Sequence, residues 1–114
     1  MSGAHQRRSV RKRVTQVIMV TNSITGEGFG RVGNLSMDGV MLIAGKALAE
    51  EHYFQIAFTL HVPGQMPAKL EVGIQCLWCD AARTANTHWV GCKFIDISVQ
   101  DQAQLKLWVD QAHD

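Results

Sequence analysis

Nowhere in these 114 residues does an apolar run approach the roughly 20 residues that a membrane-spanning helix needs. Helical membrane insertion is therefore not expected. The run from Val14 to Val20 is broken by Thr15 and Gln16. The charged N-terminus thus leads into no signal-peptide core, and a cytoplasmic protein is expected. Cysteine is scarce: Cys76, Cys79 and Cys92 are too few, and odd in number, for a disulfide framework. Serines are also few, and none sits in a nucleophile elbow. His5, His52, His61, His88 and His113 are scattered and pair with no evident nucleophile. Nothing assembles into a catalytic site, so the protein is not expected to be an enzyme. Acids are missing from residues 1–13, which hold Arg7, Arg8, Arg11, Lys12 and Arg13.

That last absence divides the chain. The overall charge is +1 and the first thirteen residues carry +5, so the body carries −4. Attraction to anions is therefore local to one end. Residues 1–13 show no hydrophobic periodicity and read as a flexible basic arm. Residues 14–114, in a chain that is 46% hydrophobic, read as one domain around one core.

The body is written mostly in strands. Val14 to Thr21 is β-branched and apolar, and Asn22-Ser23 with Gly26-Glu27-Gly28 mark a hairpin connection. Phe29 to Gly33 and Val40 to Ala44 read as the second and third strands. Tyr53 to His61 is a fourth, with Phe54, Ile56, Phe58 and Leu60 alternating onto one face. Lys69 to Trp78 places Leu70, Val72, Ile74 and Cys76 together, and His88 to Ile95 is the sixth. Ser98 can then cap a helix with Asp101 in its first turn. Leu105, Trp108, Val109 and Ala112 give that helix an apolar stripe. The expected fold is mainly β: a small six-stranded antiparallel β-barrel with a C-terminal α-helix.

Several short motifs dissolve in this context. Gly28-Phe29-Gly30-Arg31-Val32-Gly33 matches the dinucleotide pattern, but that pattern needs a helix behind the glycines, and a turn and a strand follow here. Cys76-Leu77-Trp78-Cys79 matches CxxC, yet it lies on a strand, where residues three apart are expected on opposite faces. A zinc site of Cys76, Cys79, His88 and Cys92 would require that strand to end at Trp78, and it lacks a second close pair. No metal is expected, and buried structural thiols are the simpler reading. Asn34-Leu35-Ser36 is formally a glycosylation sequon, but without a secretory signal it does not meet that machinery.

Asn34-Leu35-Ser36-Met37-Asp38-Gly39 remains, a polar turn between apolar runs, and upstream of it stands the basic arm. Asp-Gly alone accounts for a hairpin bend. Guanidinium, however, binds phosphate bidentately and stacks on flat π-systems, and a nucleotide presents both targets. An arm closing over a turn that bears Asn and Ser is a coherent nucleotide site.

With both segments in view, the chain resembles the PilZ domain family of bacterial cyclic di-GMP receptors. That family is marked by RxxxR on an N-terminal arm and by (D/N)xSxxG between two strands. Arg7-Arg8-Ser9-Val10-Arg11 matches the first and Asn34 to Gly39 the second. Trp78 lies where the family often has an aromatic, and Gly91 to Ser98 is similar to the family's last strand and closing helix.

The resemblance implies a receptor and adaptor for cyclic di-GMP, with that ligand and no cofactor. Arg7 and Arg11 would hold phosphates and stack on guanine, with Arg8 as helper. Asn34 and Ser36 would meet a guanine edge, and Gly39 would keep the turn tight. The arm would close on the ligand and relay the signal to a downstream protein, because no output module lies within these residues. The implied state is a monomer or a ligand-linked dimer. The rival reading is a small barrel that binds RNA or single-stranded DNA through its arm. The body charge of −4 disfavours it, since it leaves no broad basic footprint.

Overall fold

The computed structural model describes residues 12–13 and 16–111. Its elements in chain order are β1 (Lys12–Arg13), β2 (Met19–Asn22), β3 (Gly28–Leu35), β4 (Gly39–Ala44), β5 (Tyr53–Leu60), β6 (Ala68–Ala81), β7 (His88–Asp96) and α1 (Val99–Asp110). All pairings are antiparallel. Strands run β3-β2-β5-β6-β7-β4, and β4 returns to β3, so β2 to β7 form a closed six-stranded barrel. Closure leaves no open edge on those strands.

Period-two alternation builds the interior. Ile56, Phe58 and Leu60 from β5 and Leu70, Val72, Ile74 and Cys76 from β6 are buried, as their spacing predicts. Val20, Val32, Leu35, Val40, Leu42 and Val90 complete the barrel core. Phe29 meets Phe54 edge to face, with ring centroids 5.3 Å apart. Helix α1 covers β5 and β6 with Leu105, Trp108 and Val109. Its start follows the sequence reading: the Ser98 hydroxyl accepts a hydrogen bond from the Asp101 amide at 3.0 Å.

The first strand differs from expectation. Within the expected run from Val14 to Thr21 the strand begins only at Met19, while Val14 and Thr15 lie outside the described residues. Strands β1 and β2 pair with different stretches of the same edge of β3. Arg13 stands opposite Asn34 and Met19 opposite Arg31. A continuous strand would have put Met19 opposite Gly28, so the register against β3 shifts by three residues between β1 and β2. The last two residues of the basic segment thereby join the sheet beside Leu35 and Asn34.

Candidate ligand-binding face

The polar segment is not one turn. Asn34 and Leu35 still belong to β3, and Gly39 already belongs to β4, so the bend itself is Ser36 to Asp38. Ser36 builds that bend. Its hydroxyl oxygen accepts from the amides of Asp38 and Gly39, both at 3.2 Å, and its own amide donates to the Gly39 carbonyl at 3.0 Å. The side chain is buried, at 1% exposure. The Phe94 amide donates to the Asp38 carbonyl at 2.9 Å, which ties the bend to β7. Gly39 faces Lys93 of β7. A Cβ there would overlap the Cys92 carbonyl oxygen and stand 3.0 Å from the Lys93 Cα, so glycine is required by strand approach.

Two bulges decide which side chains share the outer wall. On β3, Val32 faces Leu42 and Asn34 faces Met41, leaving Gly33 as the extra residue. On β6, Cys76 faces Cys92 and Trp78 faces Gly91, leaving Leu77 extra. Following the registers outward gives one row across the wall: Asn34, Met41, Gly91, Trp78. The Asn34 Nδ2 donates to the Met41 Sδ at 3.7 Å. Trp78, 40% exposed, lies over Gly91, where a Cβ would come within 2.6 Å of the ring Cζ2. A second row beside it runs Met19, Arg31, Ile43, Trp89, Asp80.

The wall therefore offers the Asn34 amide, the Arg31 guanidinium and two half-exposed indoles, with the Trp78 ring lying over Gly91. Sequence reasoning singled out Asn34, Ser36 and Gly39 as candidate site residues but not Met41, Gly91, Trp89 or Arg31. Gly33, a glycine inside a strand pattern, hinted at its bulge. Arg7, Arg8 and Arg11 lie outside the described residues.

The cysteines require a correction. Cys76 and Cys79 do not point to opposite faces, because the extra Leu77 shifts the alternation. Their partners Cys92 and Val90 are both interior, so both thiols point inward. Cys76 and Cys92 are buried and Cys79 is half-buried. Cys76 directs its backbone to His52 and Glu51, which leaves its pairing with Cys92 non-hydrogen-bonded and brings their side chains close. Burial pushes the Cys76 thiol upward, with Cys79 adding. Burial pushes the Cys92 thiol from 9.0 up to about 12, with Cys76 and Cys79 adding. The folded state thus holds the Cys92 proton more tightly than the unfolded chain. The stability this contributes is full below about pH 9 and is lost as pH rises towards about 12. Denaturant melts from pH 8 to 11 are expected to show a shallower alkaline decline in Cys92→Ala than in wild type. Parallel declines would refute this.

A small closed antiparallel barrel, with a polar bend and two exposed indoles on its outer wall, is the architecture these observations define. The chain belongs to the PilZ domain family, whose model matches residues 5–111. Among solved structures it is similar to the inhibitor of motility of Bacillus subtilis, with TM-score 0.76 and 13% identity over 95% of this chain. It spans about half of that protein, 51% of its length. It is also similar to the PilZ domain of YcgR from Escherichia coli, solved with c-di-GMP, with TM-score 0.69 and 18% identity over 94% of this chain and 91% of that one. MrkH, described as a c-di-GMP-dependent transcription regulatory factor, aligns with TM-score 0.63 and 14% identity, covering 89% of this chain and 48% of that one. At these identities the likeness is one of fold. No curated protein matches the sequence significantly.

Proposed function

We propose that the protein is a cyclic di-GMP receptor whose basic arm closes over the ligand and passes the signal to a partner protein. One observation carries the reading: β1 pairs Lys12 with Leu35 and Arg13 with Asn34, so the two residues that directly follow the RxxxR segment in the chain pair with the start of the second motif. Arg11 is one peptide bond from Lys12, about 3.8 Å from Cα to Cα. The covalent chain thus tethers the RxxxR segment beside the bend that carries the second motif. Membership of the family and the similarity to a PilZ domain solved with c-di-GMP support the choice of ligand.

In this reading Arg7 and Arg11 hold the phosphates and stack on guanine, with Arg8 beside them. Asn34 offers its amide to a guanine edge from the wall. Ser36 acts through the bend, since its hydroxyl already binds two amides there. Gly39 keeps β4 close to β7 beneath the site. Met41, Gly91 and Trp78 supply a flat apolar floor suited to a purine.

Calorimetric titration of the protein with cyclic di-GMP tests this, with GTP and an unrelated oligonucleotide as controls. Saturable binding of the cyclic dinucleotide alone is expected. Equal uptake of the oligonucleotide, falling steeply with salt, would instead point to a nucleic-acid binder. Closure of the arm has its own readout in the backbone NMR of residues 5–13. Their signals are expected to shift and broaden or stiffen on ligand addition, and unchanged fast motion would refute closure.

A further inference from the structure

We propose that Arg31 is a further ligand-binding residue of this face, a phosphate-binding guanidinium carried by the barrel wall itself. The inference rests on the nucleotide reading above and adds a residue outside both motifs. Regular alternation would have put Arg31 and Asn34, three apart on β3, on opposite faces. The Gly33 bulge puts both on the outer one, in adjacent rows. Arg31 is exposed, and its two cross-strand neighbours, Met19 and Ile43, carry no charge. The acid in its row, Asp80, stands three strands away across Ile43 and Trp89, about 14 Å at the usual strand spacing. Among the described residues, the ion pairs join Lys46 to Glu27, Lys69 to Glu71 and Lys106 to Asp110, and Arg31 enters none of them.

A cation held on a rigid strand, flanked by apolar side chains and one row from Asn34, suits an anion that lies across the wall. Cyclic di-GMP carries two phosphodiester charges, and a planar guanidinium can take two oxygens of either. Arg31 supplies from the sheet what the arm supplies from a tether. It offers the ligand a charge already in place before the arm closes.

Calorimetry with cyclic di-GMP on wild type, Arg31→Ala and Lys106→Ala at one salt concentration tests the assignment. Arg31→Ala is expected to bind about tenfold more weakly. Its unfolding midpoint should not change, because the side chain is exposed. Lys106→Ala removes the same charge from helix α1 and is expected to stay within about twofold of wild type. Unchanged affinity in Arg31→Ala, or an equal loss in both variants, would overturn the role of Arg31 while leaving the receptor reading intact. Absence of binding by wild type would remove the receptor reading and this inference with it.

Discussion

Gly39→Ala is expected to destabilise the protein by about 3 kcal/mol and to lower its unfolding midpoint by roughly 10 °C or more. Ligand loss is not the cause. The added methyl would overlap the Cys92 carbonyl oxygen and come within 3.2 Å of the Cys92 carbonyl carbon. Both neighbours are backbone, so no side chain can rotate away. Relief requires β4 to separate from β7, which pair continuously from Gly39 to Ala44. Gly45→Ala is the matched control, since a Cβ there meets nothing within 4 Å. Thermal melts of the two variants should differ sharply. Equal melts would mean that the β4–β7 approach is looser than described.

The second large effect concerns binding. Arg11→Ala is expected to weaken cyclic di-GMP affinity about tenfold to a hundredfold, because a hydrogen bond to a charged group contributes about 1.5–3 kcal/mol. The expectation draws on chain connectivity: Arg11 immediately precedes the strand that pairs with Leu35 and Asn34. Calorimetry on the purified variant measures it, with the melt as a folding control. An affinity equal to wild type would withdraw the arginine assignment. Asn34→Ala provides the complementary arm, since it alters the wall and leaves the tether intact.

Much of the barrel is legible in the sequence because alternation is a local signal. Ile56, Phe58 and Leu60 announce their burial, as do Leu70, Val72 and Ile74, and Ser98 announces the start of the helix. Residues around the site are harder, since their direction depends on pairing partners far along the chain. Trp78 points outward and Cys79 inward only because β7 opposes β6 with Leu77 left over. The same dependence hides the shared face of Arg31 and Asn34, and the expected first strand begins only at Met19. Ser36 shows a different limit. Its residue type fits both ligand contact and turn-building, and only the fold reveals two amides already bound to its hydroxyl.

The bulges at Gly33 and Leu77 also bear on how this chain should be compared with its relatives. Each counts two residues against one on the neighbouring strand, so the side chains before and after it keep the faces they would have in a strand one residue shorter. A relative lacking either residue can carry the same wall and the same core. Alignments of such chains should therefore place their single-residue gaps at these two points. A gap set elsewhere in β6 would exchange inside for outside along the intervening stretch and disguise a shared site as a divergent one.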